Sequence, residues 1–132
     1  MNFETTPPGP FSFGSELENY PTLAITRTYG TDKGESADGR ALVGGAERYV
    51  SLGGTHGVVT YVAINSLVPG DTFLGVPLSL RPTKFRNELK KAGISTLGKP
   101  WDFRLAGTDV SFWVEEGEIA AIAWQHSSSS TR

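Results

Sequence analysis

Three carboxylates within four positions, Glu115, Glu116 and Glu118, are the densest reactive chemistry of this chain. Carboxylates this close can do acid–base work or hold a divalent cation, but either task needs further groups converging from elsewhere in the fold. The sequence offers few. Its two histidines, His56 and His126, have no second ligand at metal spacing, and no His-Glu-x-x-His motif or Asp-rich loop occurs. There is no cysteine and no Gly-x-Ser-x-Gly elbow, so nucleophilic hydrolysis lacks its parts. Gly44-Gly45 and Gly53-Gly54 are not followed by the Gly-Lys-Ser/Thr of a phosphate-cradling loop. The expectation is therefore no catalytic residue, no metal and no cofactor, with Glu115, Glu116 and Glu118 forming a solvated turn open to a partner. Trp101 joins them as the fourth expected contact residue. It follows Gly98-Lys99-Pro100 in a turn, where an aromatic more often serves contact than core. Phe103, Trp113 and Trp124 default to the core.

One enzymatic pattern merits comparison. Arg27, the pair Ser95-Thr96 and Glu116-Gly117-Glu118 occur in the order that resembles ADP-ribosyltransferases, which use an Arg on an early strand, a Ser-Thr-Ser strand and a Glu-x-Glu before a late strand. Leu97 replaces the second Ser, and the Glu pair sits in a tight turn without a substrate loop. A solvated acidic hairpin turn is the reading adopted.

The elements that must position these residues are legible in part. Pro82–Lys91 predicts a helix, with Pro82 in the first turn, Phe85, Leu89 and Ala92 facing the core, and Lys84 and Glu88 paired outward. Gly93 predicts a left-handed cap, with Ile94 packing back on Leu89. Residues 109–124 predict a hairpin. With Glu116-Gly117 as a two-residue turn, Val110, Phe112 and Val114 share a face with Ile119, Ala121 and Ala123, opposite Trp113, Ala120, Ile122 and Trp124. Residues 23–29 alternate as a strand, residues 30–39 read as a polar loop, and residues 48–52 and 58–64 flank a five-residue glycine turn. A further strand is expected within residues 72–80. One helix cannot cover both faces of such a sheet. The fold class expected is α+β: an antiparallel, curved sheet of five to seven strands with one short helix on one face.

Composition bounds the rest. The chain has 132 residues, enough for one domain with its own core. We divide it into an extended, proline-rich arm (residues 1–20), one domain (21–125) and a polar tail (126–132). The net charge of −2 argues against a nucleic-acid partner. Arg81, Lys84, Arg86, Lys90, Lys91 and Lys99 gather, but no aromatics interleave them, and they read as a solvated helix face. No apolar run reaches the roughly 20 residues a membrane-spanning helix needs. The first residues lack the pattern of a signal peptide, and the absence of cysteine favours a reducing compartment, so a cytoplasmic location is expected.

Over residues 81–124 a short helix ending in Gly is followed by strands separated by Leu97-Gly98-Lys99-Pro100, Ala106-Gly107-Thr108-Asp109 and Glu116-Gly117-Glu118-Ile119, a pattern that resembles one in immunity proteins of polymorphic-toxin and type VI secretion systems. It is also similar to one in small outer-membrane-assembly lipoproteins, although no lipobox cysteine is present. The first resemblance implies a small bacterial inhibitor that binds a cognate toxin directly. The alternatives are a β-rich domain holding a small ligand between sheet and helix, and the ADP-ribosyltransferase type.

Overall fold

The structure is a computed structural model that describes residues 1–27 and 34–126, with the side chains of residues 25–27 left aside. Its main sheet has eight strands: β2 (Ala24–Arg27), β3 (Gly34–Val43), β4 (Ala46–Thr55), β5 (Val58–Ile64), β8 (Thr96–Lys99), β9 (Asp102–Leu105), β10 (Val110–Glu115) and β11 (Glu118–Gln125). They lie in the order β2-β3-β4-β5-β11-β10-β9-β8, and the sheet does not close. Every pairing in it is antiparallel. A small second sheet joins β1 (Asn2–Phe3), β6 (Thr72–Phe73) and β7 (Val76–Pro77). Among the described residues there is one α-helix, α1, which spans Pro82–Lys91. The α+β class, the antiparallel sheet and the lone helix are as expected, with one strand more than the range foreseen and a second sheet besides.

Helix α1 forms where its local signals place it. Phe85 and Leu89 are fully buried. Gly93 takes φ +85°, the Ile94 amide donates to the Leu89 carbonyl at 2.9 Å and the Gly93 amide to the Lys90 carbonyl at 3.0 Å. These are the paired bonds of a Schellman ending. Two details differ from expectation. Ala92 is exposed, and Glu88 pairs with Lys91 at 3.1 Å rather than with Lys84.

The strands depart further from the sequence reading. Gly34 to Gly39, expected within a polar loop, belong to the ten-residue β3, because β4 supplies a full antiparallel ladder from Gly34↔Thr55 to Val43↔Ala46. Residues 28–33, and with them the rest of that loop and the end of the expected strand 23–29, lie outside the described residues, as does the tail beyond 126. The glycine turn between β4 and β5 is only His56-Gly57, with a bulge between Gly53 and Gly54. Residues 72–80 hold two short strands, β6 and β7, instead of one.

One face of the main sheet carries the core. Val50, Ile64, Ile122, Phe112 and Phe103 follow one another across five strands, and Leu52, Val62, Trp124 and Val110 form the adjacent row. Helix α1 lies on this face through Phe85, whose ring is 5.3 Å from Phe112, while Phe73 meets Phe112 edge-on at 5.1 Å. The first twenty residues contribute Phe3, Phe11 and Leu17, all buried. Beneath the small sheet, buried Arg48 forms a two-pronged pair with Asp71 at 2.6 and 3.0 Å. It also donates to the Val43 and Ser66 carbonyls, and Asp71 accepts from the Val68 amide and the Met1 amino group. Among the described residues no buried side-chain polar atom is left without a partner.

Candidate functional site

Trp101 stands in the turn between β8 and β9, which a glycine and an arginine shape. Gly98 has φ +118°, and a Cβ there would lie 2.6 Å from the Asp102 carbonyl oxygen, so only glycine lets the two strands approach. Arg86 reaches over from α1 and holds the turn. Its Nε donates to Thr96 Oγ1 at 2.8 Å, its terminal nitrogens donate to the Gly98 and Lys99 carbonyls at 3.4 Å, and its guanidinium lies 4.7 Å from the Phe103 ring centre. The indole of Trp101 remains 59% exposed, with Lys99 Nζ 5.7 Å from its ring centre. Arg86 and Lys99, read from sequence as part of a solvated basic face, are therefore engaged with this turn.

The acidic turn lies beside it. β9 and β10 pair Asp102 with Trp113, and the Val114 amide donates to the Trp101 carbonyl at 3.2 Å, which extends that ladder to the tryptophan. Trp101 is thus bonded to the residue preceding Glu115. Glu116 and Gly117 form the two-residue turn, both at positive φ (53° and 79°), and Glu115 sits directly opposite Glu118. Like charges directly opposite in a sheet repel. Exposure to water relieves this, and Arg81, at the N-terminus of α1, donates to the Gly117 carbonyl at 3.5 Å and brings a cation beside the turn. The four expected contact residues, Trp101, Glu115, Glu116 and Glu118, therefore share one end of the sheet.

Trp113, expected by default in the core, is a further exposed aromatic at this end of the sheet. A bulge between Trp113 and Val114 leaves Ala120 without a direct partner, so the register changes midway along the hairpin. Val110 faces Trp124 and Phe112 faces Ile122 on the core side, whereas Ser111, Trp113, Ala121 and Ala123 share the outer side. This corrects the expected face sets: Trp124 is buried, with its indole N–H donating to the Glu4 carbonyl at 2.8 Å, and Trp113 is 50% exposed. The alternation of β10 (Val110, Phe112 in; Ser111, Trp113 out) agrees with the sequence reading, and the bulge changes only which β11 residues share each face.

Other candidate chemistry is dispersed. Arg27 lies on β2 and Glu118 on β11, four strands apart and towards opposite ends of the sheet, while Thr96 lies on the far edge strand β8. The ADP-ribosyltransferase-like residues thus do not converge. His56 occupies a turn at φ +55°, and His126 stands edge-on to Phe13 at 5.2 Å. Among the described residues no three His, Asp or Glu side chains are grouped to hold a metal, and no helix is long and apolar enough to cross a membrane. Between α1 and the sheet the rings of Phe85, Phe103 and Phe112 pack together, with centres 5.1 to 6.2 Å apart. Comparison of the chain with protein-family models, with curated proteins and with solved structures gives no match.

Proposed function

We propose that this protein is a binding module that inhibits a protein partner, in its most specific form an immunity protein neutralising a cognate toxin. The observation that carries this reading is the assembly of Trp101, Trp113, Glu115, Glu116 and Glu118 on one end of the sheet through the Val114–Trp101 hydrogen bond. Each of the two indoles is half exposed, Trp113 on the outer face of the sheet and Trp101 in the β8–β9 turn, and tryptophan is the residue on which interfaces concentrate their energy. The carboxylates add a negative field that steers a cationic surface, such as the substrate groove of a nuclease, and blocking such a groove would be the inhibitory act.

The test is capture of the partner from the native host, identification, and reconstitution from purified components. Glu115, Glu116 and Glu118 changed together to Lys should slow association and remove most of its salt dependence. Trp101→Ala should quicken dissociation and cost about 2 kcal/mol or more of binding energy while leaving thermal stability unaltered. A reconstituted partner that binds both variants as it binds the parent refutes this surface as the interface.

A further inference from the structure

The outward face of the central strands is built from the smallest side chains. Ser51, Ala63, Ala123 and Ser111 lie side by side across β4, β5, β11 and β10, with Ala121 next to Trp113. Alanine is a poor strand former, and a wet sheet face normally carries longer polar or β-branched residues. Of the small residues here, Ser51, Ala63 and Ala121, with Ala120, line a groove of about 380 Å³ together with Tyr61, Trp113, Asn65 and Glu115, and Ala63 and Ala121 are only 5% and 6% exposed.

The chemistry of that lining is one-sided. No Lys, Arg or His contributes to it. It offers one carboxylate, two aromatic rings, and acceptor oxygens on Tyr61 and Asn65. Asn65 donates its amide N–H to Ser51 Oγ at 3.3 Å. A single carboxylate is too few ligands for a metal ion. A flat organic cation matches instead: an aromatic face attracts a guanidinium, a carboxylate pairs with it in two-pronged fashion, and an apolar floor accepts an alkyl stem.

We propose that the groove between Trp113 and Tyr61 seats an arginine side chain of the partner protein, its guanidinium against Trp113 and Glu115 and its stem along Ala63 and Ala121. This rests on the reading of the protein as a binding module and adds the residue type that its partner presents. The experiment uses isotope-labelled full-length protein titrated with N-acetyl-arginine amide and, separately, with the uncharged isostere N-acetyl-citrulline amide. The arginine compound should give saturable NMR shifts at the Trp113 indole N–H and the amides of Ala63, Glu115 and Ala121. Citrulline should bind roughly tenfold more weakly or worse, a difference that reports the charge. Glu115→Gln should weaken arginine binding by a similar factor, and Ala121→Leu, which fills the groove, should abolish it. Unchanged chemical shifts elsewhere would show that both variants keep the fold. Equal binding of arginine and citrulline, or shifts insensitive to Glu115→Gln, would overturn the proposal. If arginine fails here while the Trp101 and triple-Lys variants still lose a reconstituted partner, the groove assignment falls and the functional reading stands.

Discussion

Asp71→Asn is expected to destabilise the protein by about 3–5 kcal/mol, because it leaves a buried guanidinium without its counter-charge. Arg48 is fully buried and gives Asp71 two hydrogen bonds, at 2.6 and 3.0 Å. Its other bonds, to the Val43 and Ser66 carbonyls, engage two more of its N–H groups but do not neutralise it. Such a loss is a large share of the 5–15 kcal/mol typical of a domain. Urea unfolding followed by tryptophan fluorescence, to which buried Trp124 contributes, would measure it. The double variant Arg48→Met with Asp71→Asn should be less destabilised than the sum of the single variants by roughly 1–3 kcal/mol, since it removes the orphaned charge as well. The pH dependence gives an independent check. Burial alone would raise the Asp71 carboxyl, but hydrogen bonds from Arg48, the Val68 amide and the Met1 amino group, with the charge of Arg48, hold it below the usual range. A lowered value in the folded state means that unfolding takes up a proton in acid. The stabilisation is therefore complete above the unfolded value of about 3.9 and is lost as pH falls from there through the folded value. Asp71→Asn should flatten that acid slope. A variant within about 1 kcal/mol of the parent, with the same acid slope, would refute the account of a buried, mutually dependent pair.

Leu89→Ala, which opens a cavity under α1, should cost about 2–5 kcal/mol in the same urea assay, and a smaller loss would mean that the helix is not seated on the core. Gly98→Ala should lower the thermal midpoint and alter the exposure of Trp101, since its Cβ would meet the Asp102 carbonyl at 2.6 Å; an unchanged quenching profile would show that the turn relaxes freely. Treatment with EDTA should leave the thermal midpoint where it is, and a drop restored by zinc or calcium would reveal a metal site that the spacing of His56 and His126 does not foretell.

What the chain determines by itself is what short-range forces decide. Pro82, the spacing of Phe85 and Leu89, and Gly93 specify α1 and its ending, because a helix bonds residues four apart and needs no distant partner. Glu116-Gly117 likewise specifies a tight hairpin turn, and Gly98-Lys99-Pro100 places Trp101 outside the core. Strand β3 was illegible for the opposite reason. Gly34, Ser36, Asp38 and Gly39 have turn-forming character of their own, and only the ladder to β4 makes them a strand. The bulge at Trp113 and Val114 could not be read from β10 or β11 separately, yet it decides that Trp124 is buried and Trp113 exposed. Arg48 and Asp71, 23 positions apart, give no local hint that they meet beneath the small sheet. The groove on the outer face depends on a register shared by four strands, so Ser51, Ala63 and Ala121 look unremarkable until pairing gathers them beside Trp113. In a sheet, neighbours are set by register, and register is settled only when one face of every strand finds the common core.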